Sequence, residues 1–79
     1  MEELIALSTL EKGSWAELRE FRCSPELQRR LEDLGLISGN RLRCLFRSPA
    51  GSPAAYEIQG AVIALRKQDA DRILVEAES

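Results

Sequence analysis

Two hydrophobic periods divide this chain. Leu27, Leu31 and Leu34 recur at helical spacing and predict one apolar stripe. Ser24 stands where an N-cap belongs, with Pro25 at the first helical position and Glu26 in the first turn. Gly35 follows as a left-handed stop, which would let Leu36 fold back on Leu31. Elsewhere the period is two. Ser14 to Phe21 predicts a first strand with Ala16 and Leu18 inward, and a bulge or the strand end turns Phe21 inward too. Gly39 to Arg47 predicts a second strand. In it Leu42, Cys44 and Phe46 face the core, while Arg41, Arg43, Leu45 and Arg47 face out. Ala54 to Gln59 follows with Tyr56 and Ile58 inward, then Val62 to Arg66 with Ile63 and Leu65 inward. Arg72 to Ala77 closes the set, with Ile73 and Val75 inward.

Turn chemistry fills the gaps. Met1 to Leu7 is an apolar lead, and Ser8 and Glu11 have capping-box spacing before Lys12-Gly13. Ser48-Pro49-Ala50-Gly51-Ser52-Pro53 is a turn rich in proline, and Gly60-Ala61 is a tight one. Lys67 to Asp71 is a polar turn with room for one turn of helix, and Glu78-Ser79 is a tail. Five short strands, with one helix between the first and second, predict a mainly-β fold closed or half-closed into a small barrel. Closure also hides strand edges that would otherwise aggregate. The alternation predicts a register: Cys44 opposite Ile58, Phe46 opposite Tyr56, Leu45 opposite Glu57. A length of 79 residues predicts one domain over residues 1–79.

Composition narrows the chemistry. There is no histidine, which removes the commonest general base and transition-metal ligand. No Ser/His/Asp or Cys/His arrangement can form. Cys23 and Cys44 lie apart, so the chain predicts no disulfide framework, no metal site and no cofactor. The glycines lack phosphate-loop spacing. Thirteen acidic against eleven basic residues give a net charge of -2, a poor footprint for nucleic acid. The Arg41, Arg43 and Arg47 strand face is the one feature for a nucleic-acid module. Cross-strand partners such as Glu57 explain it more simply. Trp15, on the polar face of its strand, reads as a ring packed over the barrel edge. The opening Met1-Glu2-Glu3 has no basic signal region, and no apolar run suits a membrane helix, so a cytosolic location is expected.

Arg29-Arg30-Leu31-Glu32-Asp33-Leu34-Gly35-Leu36-Ile37-Ser38-Gly39 resembles the signature of the FeoA family, small cytosolic accessory proteins of bacterial ferrous iron uptake. The likeness runs on in order through Leu7-Ser8-Thr9-Leu10 with Gly13, the turn Ser48 to Pro53, Tyr56 to Gly60, Ile63 to Arg66, and Ile73-Leu74-Val75. It implies an SH3-like β-barrel with an added helix and no enzymatic activity. It also implies action on a FeoB-type membrane transporter, through that protein's cytosolic part. Self-association stays open. The structural positions it marks are Leu31, Leu34, Gly35, Gly39 and Gly60.

A small protein without catalytic groups must act by contact. The candidate surface is the turn with Pro49, Gly51 and Pro53, beside Leu45 as an apolar centre and Arg47 as a polar rim. The competing surface is the charged helix face of Gln28, Arg29 and Glu32.

Overall fold

The computed structural model describes residues 3–78. Met1 and Glu2 of the apolar lead, and Ser79 of the tail, lie outside the described residues. The strands are β1 (Ile5–Ala6), β2 (Trp15–Phe21), β3 (Arg41–Arg47), β4 (Ala54–Ile58), β5 (Ala61–Leu65) and β6 (Ile73–Ala77). The helices are α1 (Pro25–Asp33) and the one-turn α2 (Lys67–Ala70), with a 3-10 turn at Leu7–Thr9. The fold is therefore mainly β, as the alternation predicts, but with six strands rather than five. The extra one is β1. Its two residues pair with Val75 and Leu74 of β6, and two residues are too few to show a period.

All pairings are antiparallel in one sheet of order β1-β6-β2-β3-β4-β5. No ladder joins β1 to β5, so the barrel is open along that seam. The interior holds Leu7, Leu18, Leu31, Leu36, Leu42, Tyr56, Ile58, Ile73 and Val75, each essentially without solvent contact. At about 1.5–3 kcal/mol per buried aliphatic or aromatic side chain, this cluster is the main source of stability.

Helix α1 forms by the local rules in its sequence. The Ser24 hydroxyl accepts from Leu27 N at 3.2 Å. Gly35 has φ +103°, and Leu36 N donates to Leu31 O while Gly35 N donates to Glu32 O, both at 2.9 Å. That pair of bonds is a Schellman stop, and buried Leu31 and Leu36 supply its apolar contact. Leu34 departs from the predicted stripe: it is 37% exposed. The capping-box reading of Ser8 also fails. Ser8 lies inside the 3-10 turn, whose N-cap Ala6 makes no side-chain bond, and its hydroxyl goes to Asp71.

Two bulges set the strand phases. One lies between Leu18 and Glu20 of β2, and it turns Phe21 toward the core as expected. The other lies between Cys44 and Phe46 of β3 and was not legible in the alternation. The register differs from the expected one by one residue on the turn side of this bulge and by two beyond it: Leu42 faces Ile58, Arg43 faces Glu57, Cys44 faces Tyr56, and Phe46 faces Ala55. The extra residue, Leu45, reverses the phase, so Phe46 leaves the core and is 52% exposed. Arg43 keeps its outward position. The β4–β5 turn also shifts by one residue, to Gln59-Gly60. Both have positive φ, +49° and +86°, which makes a type I′ hairpin turn.

Candidate partner-binding surface

The outer face of β2 and β3 carries the arginines, and each is engaged. Trp15 lies directly opposite Arg43. The Arg41 and Arg43 guanidiniums sit 4.4 and 5.0 Å from its ring centroid. This is cation–π geometry. Arg41 also bonds Glu78 at 2.6 and 2.9 Å, which raises its pKa further above the ordinary value. Glu78 is thus tied down rather than a loose tail, since its N–H also donates to Trp15 O at 2.9 Å. Arg43 pairs with Glu57 at 2.8 Å. The ring lies over the outer face of two central strands rather than over the barrel edge that the sequence suggested, and acidic partners take the charges.

Arg47 differs from its expected place. Its guanidinium is half-buried and donates to Leu10 O. It lies close enough to Cys44 and Tyr56 to act electrostatically on both. Burial pushes the Cys44 thiol up, and Arg47 offsets part of that. Burial also raises the Tyr56 phenol, whose hydroxyl donates to Leu7 O at 3.4 Å. Arg47 therefore ties the end of β3 to Leu10 instead of rimming an outer patch.

The turn itself is ordered by Gly51 N donating to Ser48 O at 2.7 Å and Ser48 N donating to Pro53 O at 3.1 Å. Ser52 Oγ accepts from Lys67 N at 2.9 Å, which ties the turn to α2. Pro49 and Pro53 are exposed, and Gly51 and Leu45 are half-buried. Phe46, next to the turn, is the exposed apolar side chain that sequence reasoning missed. Alternation counted it inward, and only the bulge reveals it. Across the sheet Phe46 lies over Ala55, which pairs in turn with Ala64. Small neighbours leave the ring proud of the surface.

Elsewhere among the described residues Leu4, Leu34, Ile37 and Val62 are also exposed. Among the described residues no three His, Cys, Asp or Glu side chains converge. Cys23 lines a polar hollow of about 550 Å³ with Arg22, Ser24, Gln68, Asp69 and Arg72, and burial raises its thiol pKa. Cys44 is buried elsewhere in the core. No described helix is long and apolar enough to cross a membrane.

The family model for the FeoA domain matches residues 5–77. The solution structure of FeoA from Chlorobium tepidum superposes with a TM-score of 0.87 at 33% identity, over 100% of this chain and 71% of that one. FeoA from Stenotrophomonas maltophilia, a prokaryotic SH3 domain protein crystallised with zinc, gives 0.75 at 27% identity, over 87% and 86%. A manganese-dependent transcriptional repressor gives 0.83 at 20% identity, over 99% of this chain and 44% of that one, a likeness of fold alone. No curated protein sequence matches the chain.

Proposed function

The chain belongs to the FeoA family, and from that premise we propose that it is a non-enzymatic accessory protein of ferrous iron uptake. It acts by contact with the cytosolic part of a FeoB-type membrane transporter. The observation that carries this is the match of the family model over residues 5–77. Two features of the site agree with it. The named relatives are FeoA proteins of the same fold. The exposed Phe46 ring beside the turn offers an apolar surface for such a contact.

The contact surface in this reading is the turn Ser48 to Pro53 with Leu45 and Phe46 beside it. Phe46 supplies the apolar centre that such a patch needs, with the exposed Pro49 and Pro53 around it. Gly51 shapes the turn at φ +85°. Arg47 contributes by holding the strand end to Leu10 rather than by touching the partner.

The test is recovery of the transporter from native membranes on the immobilised protein, with Phe46→Glu as control. Enrichment of a FeoB-type transporter on the wild-type chain is the expected result. Equal recovery on both proteins moves the contact elsewhere. No transporter on either, in detergents that keep it folded, sinks the reading.

A further inference from the structure

Strand β5 ends the sheet, and its composition does not suit a solvent edge. Ala61-Val62-Ile63-Ala64-Leu65 holds no charge, no proline and no bulge, the usual devices that stop edges from pairing. The opposite edge, β1, is blunted by its two-residue length. β5 has no such protection, and Val62 is the most exposed large apolar residue described, at 64%.

The hairpin fixes which backbone groups are free. Gln59-Gly60 is a two-residue turn, so its flanking pair Ile58 and Ala61 exchange hydrogen bonds. Alternation then sends the main-chain groups of Ala61, Ile63 and Leu65 toward β4. The N–H and C=O of Val62 and Ala64 point outward, and among the described residues no hydrogen bond reaches them.

We propose that this edge pairs with β5 of a second copy of the chain, antiparallel and centred on Ile63. The free groups demand that register. Val62 then stands opposite Ala64 of the other copy as a hydrogen-bonded pair, and the two-fold axis repeats it. All four free N–H groups of the two copies find acceptors. No charged residue lies within the paired strands, so no like charges meet.

Side chains fit the same register. Val62 and Ala64 project from the outer face, a large residue and a small one. Two-fold pairing sets each Val62 beside the other copy's Ala64. The row Phe46, Ala55, Ala64 of one copy then runs on into Val62 of the other. An apolar stripe interrupted at the edge in one chain becomes continuous in two. Five-residue strands bury less than a standard interface, so the dimer is weak and exchanges quickly. The pairing does not depend on the transporter reading.

The test is sedimentation and backbone hydrogen exchange of the full chain from about 10 μM to about 1 mM, the weak end of specific association. The expected result is a monomer–dimer equilibrium in which the Val62 and Ala64 amides slow several-fold as concentration rises. Ala64→Pro removes an outward N–H and leaves every bond to β4, so it should weaken association at least tenfold. Val62→Lys, which brings two cations together across the axis, should do the same in a protein still folded by circular dichroism. A chain monomeric at about 1 mM overturns the proposal. So does a dimer that survives both substitutions or protects other amides only. Capture of an extended peptide on β5 by a chain that never self-associates also overturns it, and assigns the edge to a foreign strand.

Discussion

Gly35 and Gln59 meet where the stop of α1 crosses the β4–β5 turn. A Cβ built on Gly35 would stand 2.9 Å from Gln59 Cγ and 3.3 Å from Gln59 Cβ. Two constraints therefore coincide at Gly35: a φ of +103° and a close neighbour. Gly35→Val should destabilise the protein by about 2 kcal/mol or more, since a β-branched residue resists the left-handed region. Gly35→Ala should cost less. Part of its cost should vanish in the double variant with Gln59→Gly, which removes the contacting atoms. Urea unfolding of the four proteins measures the coupling. Strict additivity would show that the contact contributes nothing.

Gln59 carries its own prediction. It holds the first central position of a type I′ turn at φ +49°, where asparagine or glycine is preferred. Gln59→Asn should stabilise by about 0.5 kcal/mol. A lower melting temperature for this variant would mean that Gln59 packs favourably on the helix stop.

These two residues show what was legible in the sequence. The helix stop was, because cap, stripe and glycine are local signals within a dozen residues. The type I′ turn was only approximate: Gly60 marked it, but no local feature forces Gln59 to positive φ. The bulge at Leu45 was not legible. Leu45 and Phe46 read as a perfect continuation of alternation, and only pairing with β4 breaks it. The candidate surface suffered most, because its exposed ring was assigned to the core and Arg47 to the rim. β1 escaped for a related reason, since its two residues become a strand only by lying on β6.

Acid stability should depend on Ser8 and Asp71. The buried Ser8 hydroxyl donates to the Asp71 carboxylate, and Lys67 lies 3.1 Å away on its other side. Both hold the Asp71 pKa below its usual value, the hydroxyl more strongly. A folded pKa below the unfolded one stabilises above the unfolded pKa and loses that stability as pH falls through the folded pKa. The window is thus below about pH 4. Ser8→Ala should shift the acid-unfolding midpoint upward, and Asp71→Asn should flatten stability across that window. An unchanged midpoint in Ser8→Ala would remove the bond from the acid response.

Arg41, Arg43 and Arg47 should make poor phosphate ligands. They are held by Glu78 and Trp15, by Glu57, and by Leu10 O. Binding to random oligonucleotides should be weak, with a salt slope shallower than that of six to ten phosphate contacts. A steep slope lost in Arg41→Ala would revive the nucleic-acid reading.

Ferrous iron should not bind one chain tightly. Cys44 is buried with a raised thiol pKa, and Cys23 lies apart from it with its own pKa raised. Metal ligation needs the thiolate, so both shifts oppose it. Anaerobic calorimetry should show no sub-micromolar site. One such site per chain, abolished by Cys23→Ser, would overturn this.

The partner surface gives the sharpest contrast. Phe46 and Leu45 adjoin the turn from Ser48 to Pro53, whereas Gln28, Arg29 and Glu32 form a charged face on α1. An exposed ring beside rigid prolines loses little entropy on docking, and aromatic residues concentrate binding energy. Long charged side chains on an exposed helix contribute less. Phe46→Glu should leave folding intact, because the ring is already half in solvent. It should weaken transporter binding by about tenfold or more, the loss expected of a hot-spot residue above about 1.4 kcal/mol. Arg29→Glu should bind within about twofold of wild type, as a rim charge does. Both variants are checked by circular dichroism and then assayed for transporter binding and iron-dependent growth. Binding lost in Arg29→Glu and kept in Phe46→Glu would move the contact from the turn to the helix.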